Sequence, residues 1–335
     1  MAERVTILGA GAWGLAVSHL LTLKGCEITL WEFDPDDYRR LVTTRANPRK
    51  LPSFHLDDSV VLTDDLPGSL ARTNVVIVAI ASQHVKSVAS CFSDHLDPGS
   101  VVVSLAKGIE GGSLRRMSEV IAEESGVPHD RIVTISGPSH AEEVVQDMPT
   151  TVVAASESSS LASRIQELFS VGNFRVYLSE DVIGVELGGS LKNIIAIAAG
   201  VADGLSLGDN TKGALVTRGL AEITRLGLAL GAHAETFAGL SGLGDMVTTC
   251  FSRYSRNRHV GERIGRGEKL PQVLAGMTQV AEGVETTRSG RELARKHRVE
   301  MPITEEVYRV LFEDKDAREA LGNLMGRKLR AEIWQ

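Results

Sequence analysis

Cysteine is nearly missing from this sequence of 335 residues: Cys26, Cys91 and Cys250 are the only three, far apart and without a CxxC pair. That spacing excludes a disulfide-stapled scaffold and a cysteine-based zinc site, and the three read as ordinary thiols of a reducing compartment. The nine histidines form no HxxH or HExxH pair, so no metal is expected. Runs of lysine and arginine never exceed two residues and the net charge is -7, which leaves no electrostatic footprint for nucleic acid. Continuous apolar stretches stay short of the roughly 18 residues of a membrane span. The apolar opening VTILGAGAWGLAV is interrupted by glycines and lacks the basic start and cleavage site of a signal peptide. Membrane insertion is therefore not expected, and a cytoplasmic location is.

What the chain has in excess is glycine, at 33 positions, while aromatics make up only 4%. With 43% hydrophobic and 24% charged residues it is a folded globular chain in which the backbone must turn tightly or approach something closely in many places.

Short β-branched runs alternate with helical patterns in the first half: residues 5 to 10, 26 to 31, 75 to 80, 100 to 106, 132 to 137 and 150 to 155. Continuously apolar strands separated by helix-length segments predict a parallel sheet covered on both faces. After about Tyr177 long helical patterns take over almost to the end. The expectation is an α/β chain: a Rossmann-type doubly wound sheet over 1–178, then an all-α substrate-binding domain over 179–335. No Pro/Ser linker lies between them, so the two should pack directly.

Two glycine clusters and one polar segment carry chemistry. Gly9, Gly11 and Gly14 fall between a predicted strand and a predicted helix, where glycine permits the tight turn, the approach to a pyrophosphate and close helix-strand packing. The next strand ends in LWEFD, placing Glu32 and Asp34 about 20 residues on, where a carboxylate can bind the adenosine ribose and repel a 2'-phosphate. NAD is favoured, with NADP as the alternative. Asp34 competes with Glu32 for the ribose, and Phe33 can lie against the adenine.

In ELGGSLKN, Gly188 and Gly189 interrupt a strongly helical stretch at about 1 kcal/mol each relative to alanine. They precede Lys192 by four and three residues, hence share its helix face, and predict a hollow beside the ammonium group. The segment GLSGLGDMVTTCFSRYSRNR adds Asp245, the hydroxyls of Thr248 and Thr249, and then Ser255, Arg256 and Asn257. A guanidinium flanked by short hydrogen-bonding side chains suits a phosphate dianion.

Taken together, GAGAWG, LAKGIE, SGPSHAEE, ELGGSLKNIIAIAAG, GLGDNTK, TRGLAEI, GLSGLGDMVTTC, SRNRHVG and VAEGVET, in this order, resemble the NAD(P)-dependent glycerol-3-phosphate dehydrogenases of bacterial and archaeal type over essentially the whole chain. The resemblance implies reversible reduction of dihydroxyacetone phosphate to sn-glycerol 3-phosphate, the backbone precursor of glycerophospholipids, by a homodimer. It implies Lys192 as the catalytic acid/base and Lys107 as a second lysine touching substrate and cofactor. Asp245 would hold the substrate and Lys192, and Ser255, Arg256 and Asn257 the phosphate, with Arg256 also near the cofactor. Gly137 and Ser139 match substrate contacts. Ala12, Trp13, Phe33, Ala141, Val280 and Glu282 match cofactor contacts.

An amine near its ordinary pKa of about 10.4 is a poor base at neutral pH, so the site should depress Lys192 by burial or by a nearby cation such as Lys107. The sequence departs from the family pattern at His140, where phenylalanine is usual, and at Ala81, where proline is common; WEFD resembles the NAD-specific branch. Two other readings are a Rossmann-plus-helical dehydrogenase of a β-hydroxyacid and a non-catalytic NADH sensor. The phosphate motif argues against the first, and the presence of both Lys192 and Asp245 against the second.

Overall fold

A computed structural model describes residues 2–92, 94–329, 331 and 332. Its first part is one eight-stranded sheet: β1 (Arg4–Leu8), β2 (Glu27–Trp31), β3 (Val61–Thr63), β4 (Val75–Val78), β5 (Val101–Ser104), β6 (Ile132–Ser136), β7 (Thr150–Ala155) and β8 (Phe174–Ser179). The spatial order is β3-β2-β1-β4-β5-β6-β7-β8. All pairings are parallel except that of β6 with β7. Alternate residues feed two cores. Val5, Ile7, Val75, Ile77, Val101 and Val103 pack on one face, and Leu8, Val76, Val78 and Val102 on the other, so the inner strands read as unbroken apolar runs.

The sheet departs from the sequence expectation in two respects. Strands β3 and β8 are additional. Both alternate or are short, as edge strands do, and β8 leaves Arg175 and Tyr177 outward, so neither shows a continuous apolar run. The antiparallel β7 follows a link with a helix of only 4 residues (Ala141–Val144), too short to carry the chain back over the sheet.

The chain runs from β1 to β2 and β3 on one side, then returns to lay β4 on the other side of β1. That reversal opens a crevice beyond the carboxyl ends of β1 and β4, where doubly wound sheets bind ligands.

Helices make up the second part, arranged around a central helix, Val182–Gly204, whose start is capped by Asp181 accepting from the Gly184 amide at 2.8 Å. This helix is long and apolar enough to cross a membrane, yet 89% of its most apolar window is buried inside the protein, as a core helix is. Two charged residues lie buried on it. Glu186 accepts from Arg116 at 2.6 Å and from the Ser118 amide at 2.8 Å, both on the sheet side of the molecule, and so ties the two parts together.

Along its last turns Gly200 and Gly204 meet Gly261 and Gly265 of the Arg256–Gly265 helix. A Cβ on Gly261 would lie 2.0 Å from the Ile197 carbonyl oxygen, and one on Gly200 2.0 Å from that of Arg258. The two backbones are in contact, which fixes where the Arg256–Gly265 helix begins.

Because backbone cannot yield as a side-chain end can, Gly261→Ala is expected to destabilise the protein by about 1–3 kcal/mol. Calorimetry should show a clear fall in Tm. Gly213→Ala, whose Cβ meets open space, is the matched helix substitution and should hold or raise Tm.

Candidate active site

A cleft of about 380 Å³ runs from the ends of β1 and β4 to the start of the Arg256–Gly265 helix. At its sheet end the glycines divide the work. Gly9 has φ +103, and a Cβ on Gly14 would lie 1.9 Å from the Gly9 carbonyl oxygen, so these two serve the turn and helix-strand contact. Gly14 does not line the cleft; Gly11 does, and a Cβ there would meet no protein atom. The helix Ala12–Leu23 starts at Gly11 without a side-chain cap, leaving its first amides free to take a phosphate. Ala12 and Trp13 line the cleft beside it. These features fit a dinucleotide pyrophosphate.

Glu32 sits differently from a simple ribose ligand. It is only 3% exposed, and its two oxygens accept from the Ala10 amide at 3.2 Å and the Asp34 amide at 2.9 Å, bracing the glycine turn against the end of β2. Burial pushes its pKa up, opposed by those amides. Asp34 lines the cleft and also caps the helix Pro35–Thr44, its Oδ1 accepting from the Asp36 and Asp37 amides. Phe33 is 60% exposed, its ring 6.0 Å from that of His84 at the cleft wall. Lys50, which sequence reasoning missed, also lines the cleft and pairs with Asp37 at 3.5 Å.

Farther along, three elements converge on Asp245. Lys107 follows β5 and donates to Asp245 Oδ2 at 2.7 Å and to the Gly137 carbonyl at 3.1 Å. Lys192, on the central helix, donates to Asp245 Oδ1 and, at 2.6 Å, to Thr249 Oγ1. Asp245 itself begins the helix Asp245–Phe251. Lys192 and Asp245 are 5% and 2% exposed, so their charges are sustained by each other. Burial pushes Lys192 down to about 8, with Lys107 adding to the fall and Asp245 opposing it. Burial pushes Asp245 the other way, but the two ammonium groups hold it below the usual carboxylate range. Cys250, on the same helix as Asp245, is buried, and burial pushes its thiol up to about 12.

The space that the two glycines leave on the helix is filled by protein, while Lys192 itself lines the cleft. A Cβ on Gly188 would lie 2.9 Å from the Ser241 carbonyl oxygen, and one on Gly189 2.3 Å from Ser136 Oγ and 3.7 Å from the Lys107 stem. The two glycines therefore let the Leu240–Gly244 turn and the end of β6 close against the central helix, which is what draws Lys107 and Asp245 to Lys192. Gly137 belongs to the same closure: its φ is +147, its Cβ would lie 2.9 Å from Val152 Cα, and it reaches the site only through its carbonyl. Ser139, on the loop that follows, and Ala141, which begins the helix Ala141–Val144, line the cleft.

At the far end Ser255, Arg256 and Asn257 open the Arg256–Gly265 helix. Ser255 Oγ caps it by accepting from Arg258 N at 3.1 Å, and its own proton remains free to donate. Asn257 donates to Asn193 Oδ1 at 2.9 Å and accepts from the Gly283 amide at 2.9 Å. Arg256 makes no hydrogen bond or ion pair among the described residues. An uncommitted guanidinium beside a capped helix N-terminus is a receptor for an anion. Val280 and Glu282 close the cleft, and Glu282 accepts from the Ser82 amide at 3.1 Å, across from the sheet side.

Comparison with known proteins then decides the family. The model for the NAD-dependent glycerol-3-phosphate dehydrogenase N-terminus matches residues 4–162, and that for its C-terminus residues 181–322. The chain belongs to the NAD-dependent glycerol-3-phosphate dehydrogenase family. Among its relatives, the glycerol-3-phosphate dehydrogenase [NAD(P)+] of Pelotomaculum thermopropionicum is 49% identical over 98% of this chain and 94% of that protein. That of Geobacter sulfurreducens is 48% identical over the full length of both. The crystal structure of the Coxiella burnetii glycerol-3-phosphate dehydrogenase superposes with a TM-score of 0.93 at 38% identity, covering 97% of this chain and 99% of that one.

In this glycerol-3-phosphate dehydrogenase, sequence reasoning missed Asn193 as a cleft residue and left Thr249 without a task. Thr249 carried a signal. It follows Asp245 by four residues, one helical turn on, and that spacing places its hydroxyl against the same ammonium group. Asn193 adjoins Lys192 but is directed by Asn257, a partner far off in sequence.

A carbon-13 NMR titration of the Lys192 ε-carbon is expected to give a midpoint at about 8. In Asp245→Asn the anion that favours the ammonium form is lost, so the midpoint should fall further. A wild-type midpoint near the ordinary lysine value, or a rise in Asp245→Asn, would contradict this electrostatic account.

Proposed function

We propose that this glycerol-3-phosphate dehydrogenase reduces dihydroxyacetone phosphate reversibly to sn-glycerol 3-phosphate and that Lys192 is its acid/base. The observation that carries the reading is one continuous cleft holding a pyrophosphate-ready helix start, the Lys107–Asp245–Lys192 cluster and the uncommitted Arg256. Bound nicotinamide supplies the hydride. Lys192 donates the proton to the substrate carbonyl oxygen during reduction and takes it back from the hydroxyl in reverse, a task suited to an amine poised at about 8. Lys107 and Asp245 orient Lys192 and the substrate, with the Gly137 carbonyl steering Lys107. Ser255, Arg256 and the helix start they form hold the phosphate, and Asn257 has one amide hydrogen left to join them. A β-hydroxyacid would leave that anion receptor without a partner at the distal end.

For the cofactor we favour NADH over NADPH. Glu32, although braced by the Ala10 and Asp34 amides, adds an anionic group to the cleft lining that disfavours a 2'-phosphate, and Phe33 offers an apolar face in place of a cation; Lys50 is already paired with Asp37. We also place the enzyme in the cytoplasm, as a homodimer that supplies the glycerophospholipid backbone. Its three cysteines are free, and Leu243, Val247 and Phe251 form an exposed apolar stripe at four-residue spacing.

Steady-state NADH oxidation with dihydroxyacetone phosphate tests the reading directly. Lys192→Ala should lose about 10²- to 10⁴-fold in turnover while still binding NADH; retention of more than about a hundredth of the wild-type rate would remove Lys192 from the role of proton donor. Arg256→Ala should suffer far more with dihydroxyacetone phosphate than with free dihydroxyacetone, and equal losses on both would refute the phosphate assignment. Initial rates at matched NADH and NADPH should favour NADH. A clear preference for NADPH would refute the reading of Glu32 and Phe33.

A further inference from the structure

Glu186 lies on the central helix six residues before Lys192, about 9 Å along its axis at a rise of about 1.5 Å per residue. Its carboxylate is buried, and its donors belong to one short stretch of the sheet part. The Ser118 amide reaches Oε1 at 2.8 Å, and the Arg116 guanidinium and the Ser118 hydroxyl each reach Oε2 at 2.6 Å. That stretch starts the helix Met117–Ser125, whose second amide has no partner within its own helix, so a carboxylate of the helical part caps a helix of the sheet part. Desolvation offsets much of what such a buried pair gains, but neither partner can move without stranding the other. The pair fixes position.

The same stretch closes the loop that carries Lys107. Ile109 and Arg116 form a β-bridge, the Glu110 amide donates to the Arg115 carbonyl at 2.9 Å, and the Leu114 amide donates to the Glu110 carbonyl at 3.0 Å. Ile109 is buried in the core of the helical part and Leu114 packs against that core. Lys107 precedes the bridge by two residues. The loop is thus held to the helical part at two places: by Glu186 at Arg116 and Ser118, and by Asp245 at Lys107. Without the first, Lys107 keeps only its own contacts with Asp245 and the Gly137 carbonyl.

We propose that Glu186 is a positioning residue for the reaction: by gripping the start of the Met117–Ser125 helix it sets where the 107–116 loop lies, and so the distance at which Lys107 meets Asp245 and Lys192. Glu186 does not line the cleft and acts only through Lys107. Its consequence for turnover rests on the assignment of Lys192 as acid/base; its effect on the geometry does not.

The Lys192 ammonium group senses where Lys107 is. Lys107 lowers its affinity for a proton and Asp245 raises it. When Lys107 moves off, the first effect is lost and Asp245 is left to Lys192 alone, so the Lys192 midpoint rises. Deleting the Glu186 anion and leaving Arg116 unpaired would lower it by charge alone, so the sign of the shift separates displacement from charge. Cys250, His140 and Glu282, the other titratable groups coupled to Lys192, are untouched by the substitution.

The test is the carbon-13 titration of Lys192 in Glu186 variants of the full chain. Glu186→Ala is expected to raise the midpoint by about half a pH unit or more. Glu186→Gln keeps the volume and one acceptor for the Ser118 amide, so it should raise the midpoint less, and it carries the test if the alanine variant does not fold. Lys107→Met should raise the midpoint by itself, and adding Glu186→Ala to it should bring no further rise, because the two act through one group. Asp181→Ala removes the cap of the same central helix and should lower Tm without moving the midpoint. In steady-state NADH oxidation with dihydroxyacetone phosphate, kcat of Glu186→Ala should fall about 10-fold while KM for NADH stays within about twofold. A midpoint that stays or falls in the folded Glu186 variants overturns the proposal. So does a further rise in the double variant or an equal rise in Asp181→Ala, either of which marks a general loosening, and so does an unchanged kcat. A wild-type enzyme that fails to oxidise NADH with dihydroxyacetone phosphate overturns the proposed function instead, and the titrations still decide whether Glu186 places Lys107.

Discussion

The structure turns on one buried carboxylate shared by two ammonium groups. Asp245 receives Lys107 from the sheet side and Lys192 from the central helix, all three largely withdrawn from water. Such a triad is not a source of stability in itself, because the desolvation of each charge offsets much of the attraction. What it secures is position and proton affinity. Remove the anion and two like charges face each other at the end of a β-strand; keep it, and one amine is held within reach of neutral pH. The closure of the sheet domain on the helical one is therefore also the assembly of the site.

Close backbone approach makes that closure possible. Gly188 and Gly189 let the Ser241 carbonyl and Ser136 press on the central helix, and Gly200 and Gly261 bring the helix that carries Arg256 into contact with it. The glycine excess thus has two physical uses. Gly11 leaves room for a ligand, while most of the others at the centre leave room for protein. A helix that would otherwise be an ordinary apolar core element becomes a platform on which the Asp245–Phe251 helix meets Lys192 directly and the segment after β5 reaches the same carboxylate through Lys107. Further ties span the same seam, among them Glu186 with Arg116 and Glu282 with the Ser82 amide.

The inner strands were legible because burial on both faces leaves a continuous apolar run, and the long helices because their pattern persists over many turns. Edge strands β3 and β8 were not, since an edge strand needs neither feature, and the antiparallel turn of β7 depended on a helix being too short to cross over. In the site, Lys192, Lys107 and Asp245 stood out through their motifs. The work of Glu32 did not: a carboxylate at the end of the second strand looks the same in sequence whether it faces a ribose or braces the Ala10 amide. Asn257 likewise reads in sequence only as a phosphate ligand, and its partners Asn193 and Gly283 show that it also holds the helix start in place.

By itself the sequence determined the order of sheet and helices, the two glycine clusters and the family, since each is carried by local periodicity or by residues a few positions apart. Only the tertiary structure decided what fills the space beside Lys192, where its proton affinity lies, and which side chains remain free for a ligand. Those properties depend on desolvation and on contacts between residues far apart along the chain: Lys192 and Asp245 meet within the helical part, and Lys107 reaches them only across the seam with the sheet.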